Sequence, residues 1–450
     1  MLNLKSIAYP LPEDVENARR SGCYDMANLL IDNYLANHDI PKALRERLLL
    51  EKHNLEAIKA SFPYTIEEAD NLLSVSYPGK YIKGSLSSNL INGNLAWRFI
   101  NGKMMVEARV VEDAAKRLPE FTESTSTLKD LALRDDNIAY MKEHGEREAL
   151  IKVRASIKPL AGFGELARIN LPVVRAARCI SDISFSLASM GYKGVDDESV
   201  MMRTAHFEKV LEEGDEFFIE YEYKIKANYR EIAETKCESD RKEFSEFLKE
   251  EAPHILFTPY LKSLAKEIVG AITSPSEKAR AIYNWITTHV KYSFMREYAT
   301  IENIPEFAAS NLKGDCGVQA LLFITLCRIS GVPAKWQSGW YTTKEGASPH
   351  DWAEFYLPEY GWCFADCSFG GGAYRKGNTE RWKYYFGSSD VFRTPCNDMC
   401  CQKLYGKEEY PSDPTDNQRG EIEIKGRSLT RKEMEWKGTV LSFEYLGEEK

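Results

Sequence analysis

Gly314-Asp315-Cys316-Gly317-Val318-Gln319-Ala320-Leu321-Leu322 reads as a glycine-bearing loop that runs into an apolar helix. Leu321, Leu322, Ile324, Thr325, Arg328 and Ile329 continue that helix, and Gly331-Val332-Pro333 stops it, glycine first and proline after. Cys316 therefore falls at a helix N-terminus, where unpaired N–H groups and the macrodipole favour an anion. A thiol needs that help, because at pH 7 only about 3% of a free cysteine is thiolate. Asp315 fits the N-cap position. Its charge opposes a thiolate next door, so its carboxylate is expected to turn toward the backbone.

Working outward, the chain has seven histidines (38, 53, 144, 206, 254, 289 and 350), and of these His350 alone follows the cysteine. From His350 to Leu357 the residues alternate, with Trp352, Glu354 and Tyr356 against Ala353, Phe355 and Leu357, which predicts a strand. Pro358-Glu359-Tyr360-Gly361 turns the chain, and Trp362-Cys363-Phe364-Ala365-Asp366 is the expected return strand. If His350 and Asp366 stood directly opposite, paired positions would sum to 716 and the loop would centre on Pro358. An even loop without a bulge would put the aspartate on the other face, so the geometry demands an odd loop or a bulge. Cys363 and Cys367, read as lying on the same strand, would then point away from the site.

Gly314-Asp315-Cys316, the helix ending at Gly331-Val332-Pro333-Ala334, His350-Asp351-Trp352-Ala353-Glu354, Gly361-Trp362 and Asp366 together resemble the transglutaminase-like core of the papain-like cysteine-enzyme fold. The resemblance covers about residues 255–392. It implies a nucleophile at Cys316, a base at His350 and an orienting carboxylate at Asp366. It also implies that the cysteine helix packs on an antiparallel sheet bearing the other two. It identifies no oxyanion-stabilising side chain, and no acidic loop suggests the calcium sites of the animal enzymes.

The rest of the chain divides by pattern into an α+β, multidomain protein. Residues 1–147 read as a mainly helical region of unnamed role, with a hairpin about Asn101-Gly102. Residues 148–235 read as a β-sandwich-like domain, residues 236–392 as the transglutaminase-like core, and residues 393–450 as an extension with strands. Within the core, Ser274-Pro275-Ser276-Glu277 marks a helix start with a capping box, and Ala279, Ile282, Tyr283 and Ile286 should form its buried face. Gly370-Gly371-Gly372 reads as a flexible loop. The stretch 342–349 reads either as a lid beside the site or as a solvated connection.

Composition narrows the function classes. The chain has 450 residues, a net charge of -9 and only short, interrupted basic runs, which argues against a nucleic-acid partner. No basic leader followed by an apolar run opens the sequence, and nothing approaches the ~20 apolar residues of a membrane span. A cytoplasmic protein with no membrane partner is the expectation. Ten cysteines (23, 179, 237, 316, 327, 363, 367, 396, 400 and 401) are then reduced thiols. The pairs 363/367 and 396/400 lack metal-ligand spacing, so buried thiols are preferred to a zinc site, and neither metal nor cofactor is expected.

The predicted chemistry is acyl transfer from an amide, a peptide bond or a glutamine side chain, through a Cys316 thioester, with a peptide or protein as substrate. Hydrolysis is favoured over transamidation because water is the default acceptor in an unshielded site. A binding or scaffold protein that keeps the fold without turnover is the alternative. A thiol redox protein is a weaker reading, since no C-x-x-C occurs. The sequence assigns no oligomeric state.

Overall fold

The computed structural model describes residues 2–37, 39–91, 95–117, 125–235 and 243–447. Cys237 lies outside them. The chain divides into two compact units, one of Met1–Ala132 with Tyr292–Glu302, the other of Leu133–Lys291 with Asn303–Lys450.

The first unit is built on helices Glu13–Arg20, Tyr24–Ala36, Lys42–Ser61 and Ile66–Ser76. Val15, Tyr24, Ala27, Ile31, Leu48, Leu55 and Ile58 recur at helical spacing and meet in one apolar cluster. Thr65 and Glu68 close a capping box at the start of the fourth helix. The predicted hairpin pairs Trp97–Ile100 with Lys103–Val106. Asn101 and Gly102 both have positive φ, 49° and 78°, as a two-residue turn of this kind requires.

The second unit carries the chemistry. Its elements, in chain order, are β1 (Glu146–Pro159), β2 (Phe217–Asn228), α1 (Pro275–His289), α2 (Cys316–Ile329), β3 (Ala334–Thr343), β4 (Gly346–Leu357), β5 (Gly361–Ala365), α3 (Cys367–Arg375), β6 (Arg393–Asn397) and β7 (Met434–Leu446). Among the described residues the main sheet has nine strands, in the order 386–387, β5, β4, β7, β1, β2, 180–188, while β3 pairs with both β4 and β6. All these pairings are antiparallel. The last strand, β7, lies between β4 and β1, so the C-terminal strand joins the core's sheet to the strands that begin at residue 146. Five further strands (427–428, 421–424, 166–172, 204–210 and 192–195) make a second sheet.

α2 is the central helix. Its residues from Gly317 to Arg328 are buried, as expected of a helix apolar on nearly every side. The glycine stop is in place, with Gly331 at φ 82°. α1 begins as its sequence predicts: Ser274 Oγ accepts from the Glu277 N–H, Pro275 follows the cap, and Ala279, Ile282, Tyr283 and Ile286 are buried. The capping box is only half made, because the Glu277 carboxylate accepts from Arg280 Nε at 3.2 Å.

Three expectations fail here for the same reason: packing overrides local composition. The stretch 342–349 is neither lid nor loose connection. Ladder pairs Thr342 with Ala347 and Thr343 with Gly346 carry the strands up to a two-residue turn at Lys344-Glu345. Gly370-Gly371-Gly372 is not a loop but the middle of α3, and Cys367 opens that helix instead of continuing the strand. The glycines let α3 lie against α1. A Cβ on Gly370 would overlap the Tyr283 hydroxyl and stand 2.7 Å from its Cζ, whereas a Cβ on Gly372 meets nothing within 4 Å.

Neighbouring glycines should therefore respond with opposite signs. Gly370→Ala forces overpacking and should destabilise by about 1–3 kcal/mol. Gly372→Ala removes a poor helix former from an open position and should stabilise by up to about 1 kcal/mol. Urea unfolding midpoints of the two variants test this; equal shifts would show that α3 does not rest on α1 through Gly370.

Candidate active site

Two helix starts and one strand carry the candidate residues. Cys316 is the first residue of α2, with Asp315 as its N-cap accepting from the Val318 N–H at 3.2 Å. His350 lies in β4. Asp366 follows the last residue of β5 and is the N-cap of α3. The β4–β5 register pairs Ala353 with Ala365 and Leu357 with Gly361, so paired positions sum to 718. The connecting loop has the required odd length, but it centres on Glu359 instead of Pro358. The position opposite Asp366 by this count is Trp352, two residues from His350 and on the same face. The aspartate thus reaches the histidine diagonally.

The contact itself is short. His350 Nε2 and Asp366 Oδ2 are 2.7 Å apart, and both side chains are buried. Asp366 is held from several directions: Oδ1 accepts from the Phe369 N–H at 2.9 Å and from Ser368 Oγ at 3.0 Å, and Oδ2 also accepts from Arg393 Nη1 at 2.9 Å. Arg393 is fixed in turn by Asp390, through Nε at 3.0 Å and Nη2 at 2.9 Å. Burial alone would raise the Asp366 pKa, but the facing His350 and Arg393 charges and these donors outweigh it and hold the carboxyl well below the usual range. An ionised carboxylate only accepts, so the proton on the His350 ring sits on Nε2, and Nδ1 is the atom left to act as a base. The ring stacks on Phe369 with centroids 4.3 Å apart. Burial lowers the His350 pKa, and Asp366 works against that fall.

The nucleophile candidate is placed differently from the sequence expectation. Cys316 is half-buried, and its sulfur donates to Asp351 Oδ2 at 3.2 Å, not to the imidazole. Burial first, then the charges of Asp351 and Asp315, push its pKa well above that of an ordinary thiol. The structure therefore joins His350 to Asp366, and it sets Cys316 against the residue that follows His350. Asp351 is buried beside a second carboxyl, Asp416, and burial with that neighbour raises its pKa well above the carboxylate range. Gln418 Nε2 reaches Asp351 Oδ1 at 2.8 Å and the His350 carbonyl at 2.9 Å.

Arg393, Asp351, Asp416 and Gln418 were not singled out by sequence reasoning. Asp351 stands within the His350-Asp351-Trp352 motif, but strand alternation points it away from its neighbour's face. The other three lie 27 or more residues beyond Asp366, in segments with no periodic pattern.

An antiparallel sheet that carries a His–Asp pair, capped by a buried helix with cysteine at its first turn, defines a class, that of the transglutaminase-like cores. Residues 262–367 match the family model of the transglutaminase-like superfamily. A candidate cysteine protease of Cytophaga hutchinsonii aligns in structure over 66% of this chain and 91% of its own, at 16% identity and a TM-score of 0.44. The periplasmic domain of TgpA from Pseudomonas aeruginosa aligns over 55% and 96%, at 14% identity and a TM-score of 0.30. No curated protein sequence matches the chain. Among the described residues, no helix is long and apolar enough to cross a membrane.

The His350–Asp366 pair yields a direct test. Asp366→Asn removes the charge that opposes burial, so the His350 pKa should fall further and the ring should stay neutral to lower pH. Ring-proton NMR titration measures this. An unchanged or raised His350 pKa would show that Asp366 does not set its ionisation.

Proposed function

We propose that this protein is a thiol enzyme that cleaves an amide through an acyl thioester on Cys316, with His350 as general base and acid and Asp366 as the group that orients it. The observation that carries the proposal is the buried 2.7 Å His350–Asp366 pair, which leaves Nδ1 as base within a transglutaminase-like segment that also holds Cys316 at a helix N-terminus.

The Cys316 S–H proton passes to His350 Nδ1, and the sulfur adds to the amide carbonyl. The tetrahedral oxyanion is stabilised by the Cys316 backbone N–H at the start of α2. His350 returns the proton to the leaving amine as the C–N bond breaks. Water, deprotonated by the same nitrogen, then releases the acid and regenerates the thiol. An amine in place of water would give transamidation. Hydrolysis is the favoured outcome, because water is the default acceptor and the stretch 342–349, a tight hairpin, is not itself a lid.

A second reading, a binding or scaffold protein without turnover, is favoured by one observation: the sulfur rests on Asp351 as a thiol and not on the imidazole. The two readings separate on the bench. A peptide library incubated with and without a primary amine should show cleavage by tandem mass spectrometry. Cys316→Ala should abolish that cleavage with folding intact, and Asp366→Asn should lower kcat by roughly 10²–10⁴. Wild-type turnover in Cys316→Ala would sink the enzyme reading, and no turnover in the wild type against any peptide would favour the scaffold.

A further inference from the structure

The segment from Asp413 to Gln418, far along the chain from the cysteine helix, places two side chains against Asp351, the residue on which the Cys316 sulfur rests. Gln418 Nε2 donates to Asp351 Oδ1 at 2.8 Å, the His350 carbonyl at 2.9 Å and the Gly339 carbonyl at 3.1 Å. It thereby ties this segment to β3 and β4 at the position of His350. Asp416 Oδ1 accepts from Ser338 Oγ at 2.7 Å and from Asn397 Nδ2 at 2.8 Å. The Asp416 carboxyl is also hydrogen-bonded to that of Asp351. Both acids are only 3% exposed. The result is a chain of contacts from Cys316 Sγ through Asp351 to Asp416, anchored by Ser338 on β3 and Asn397 on β6.

Two buried carboxyl groups in hydrogen-bond contact cannot both be ionised, so one proton is held between them. Of the two acids, Ser338 and Asn397 donate to Asp416, while Gln418 and the Cys316 thiol donate to Asp351; burial and the Asp416 charge raise Asp351 the further of the two, which places the shared proton on Asp351. The sulfur then faces a neutral carboxyl across 3.2 Å.

We propose that Asp351 is a positioning residue that sets the ionisation of Cys316, and that Asp416 keeps Asp351 uncharged so that the sulfur can become a nucleophile. The inference rests on the proposed role of Cys316 and adds its control. Asp351 Oδ2 accepts the thiol's hydrogen bond in the resting site, and the sulfur exchanges that bond for His350 Nδ1 when the proton moves. No bond beyond the S–H is broken, and the proton ends on the imidazole.

The charged and titratable groups about the sulfur define the expected pH behaviour. Asp315 on α2, Asp351 on β4, and Asp416 with Asp413 on the C-terminal segment are the acids; His350 is the base, with Arg393 and Arg134 positive beside it. Burial and the neighbouring Asp413 charge push Asp416 up to about 7. The pair thus gains its first negative charge near neutral pH, over the range in which the thiol would otherwise ionise more readily. The Cys316 alkylation rate in the wild type should therefore climb by less than the tenfold per pH unit of an isolated thiol.

The test is iodoacetamide alkylation of full-length protein between pH 6 and pH 8.5, with the Cys316 peptide quantified by mass spectrometry. Asp351→Asn replaces the acceptor with an amide that can donate to a thiolate, so Cys316 should label faster at pH 8 and regain the full tenfold slope. Asp416→Asn removes the like charge that adds to burial in keeping Asp351 protonated. Asp351 then ionises next to the sulfur, and labelling at pH 8 should slow by about tenfold, the equivalent of one pKa unit. A merely structural role would move both variants the same way. Shifts of the same sign, or none, would overturn the proposal, as would a full tenfold slope in the wild type, which requires no variant to fold. The rate at Cys316 is read whether or not the protein turns over. Absent turnover with the predicted order of labelling would count against the proposed function alone, and normal turnover without that order would count against this inference alone.

Discussion

The site is organised about one carboxylate. Asp366 accepts hydrogen bonds from His350, Arg393, Ser368 and the Phe369 backbone. A buried carboxylate is tolerated only when paired and hydrogen-bonded, and this one joins four elements in meeting that condition. It ends β5, caps α3, and ties both to β4 and β6. Gly370 in α3 follows from the same constraint: the helix must start at Asp366 and lie against α1, and only glycine permits that approach there. Local helix propensity is given up at that residue, at roughly 1 kcal/mol, in favour of a fixed position for the cap.

Much of this was legible in the sequence because it depends on short-range rules. The loop-to-helix entry at Cys316, the stop at Gly331, the Asn101-Gly102 turn, and the strand pair separated by an odd loop are each written in a few adjacent residues. The register was missed by two in the sum of paired positions because turn chemistry fixed the loop at three residues, while direct opposition of His350 and Asp366 had been assumed. A diagonal contact on the same face serves as well. The glycine helix and the hairpin at 342–349 were misjudged because glycine, threonine and serine signal loops only when nothing is packed against them.

What lay beyond sequence reasoning is the long-range electrostatics. Arg393 neutralises Asp366 from 27 positions downstream, and Asp416 reaches Asp351 from 65 positions downstream. Neither segment has a period or motif, and the contacts exist only because β6 pairs with β3 and the C-terminal segment folds back over that edge. The last strand, β7, closes the chain into the main sheet and so belongs to the same architecture as the site, although nothing in its alternation points to chemistry.

Magnitudes decide which feature governs the thiol. A helix N-terminus favours an anion by typically 0.3–1 kcal/mol, and by about 2 in partly buried geometries, which is of the order of one pKa unit. A full carboxylate charge at 4 Å opposes a thiolate by about 4 kcal/mol at an effective dielectric near 20, and Asp351 Oδ2 is closer than that to the Cys316 sulfur. The dipole alone cannot generate a nucleophile beside an ionised Asp351. Either Asp351 is neutral when the sulfur acts, or the sulfur leaves it. The second acid supplies the first condition: with Ser338 and Asn397 stabilising its charge, Asp416 takes the negative end of the pair and leaves Asp351 with the proton. An acid that would poison the site if it stood alone thus becomes compatible with a thiol nucleophile through a partner that makes no contact with the sulfur. The reactivity of Cys316 is set less by the helix it begins than by where one proton lies between two carboxyl groups.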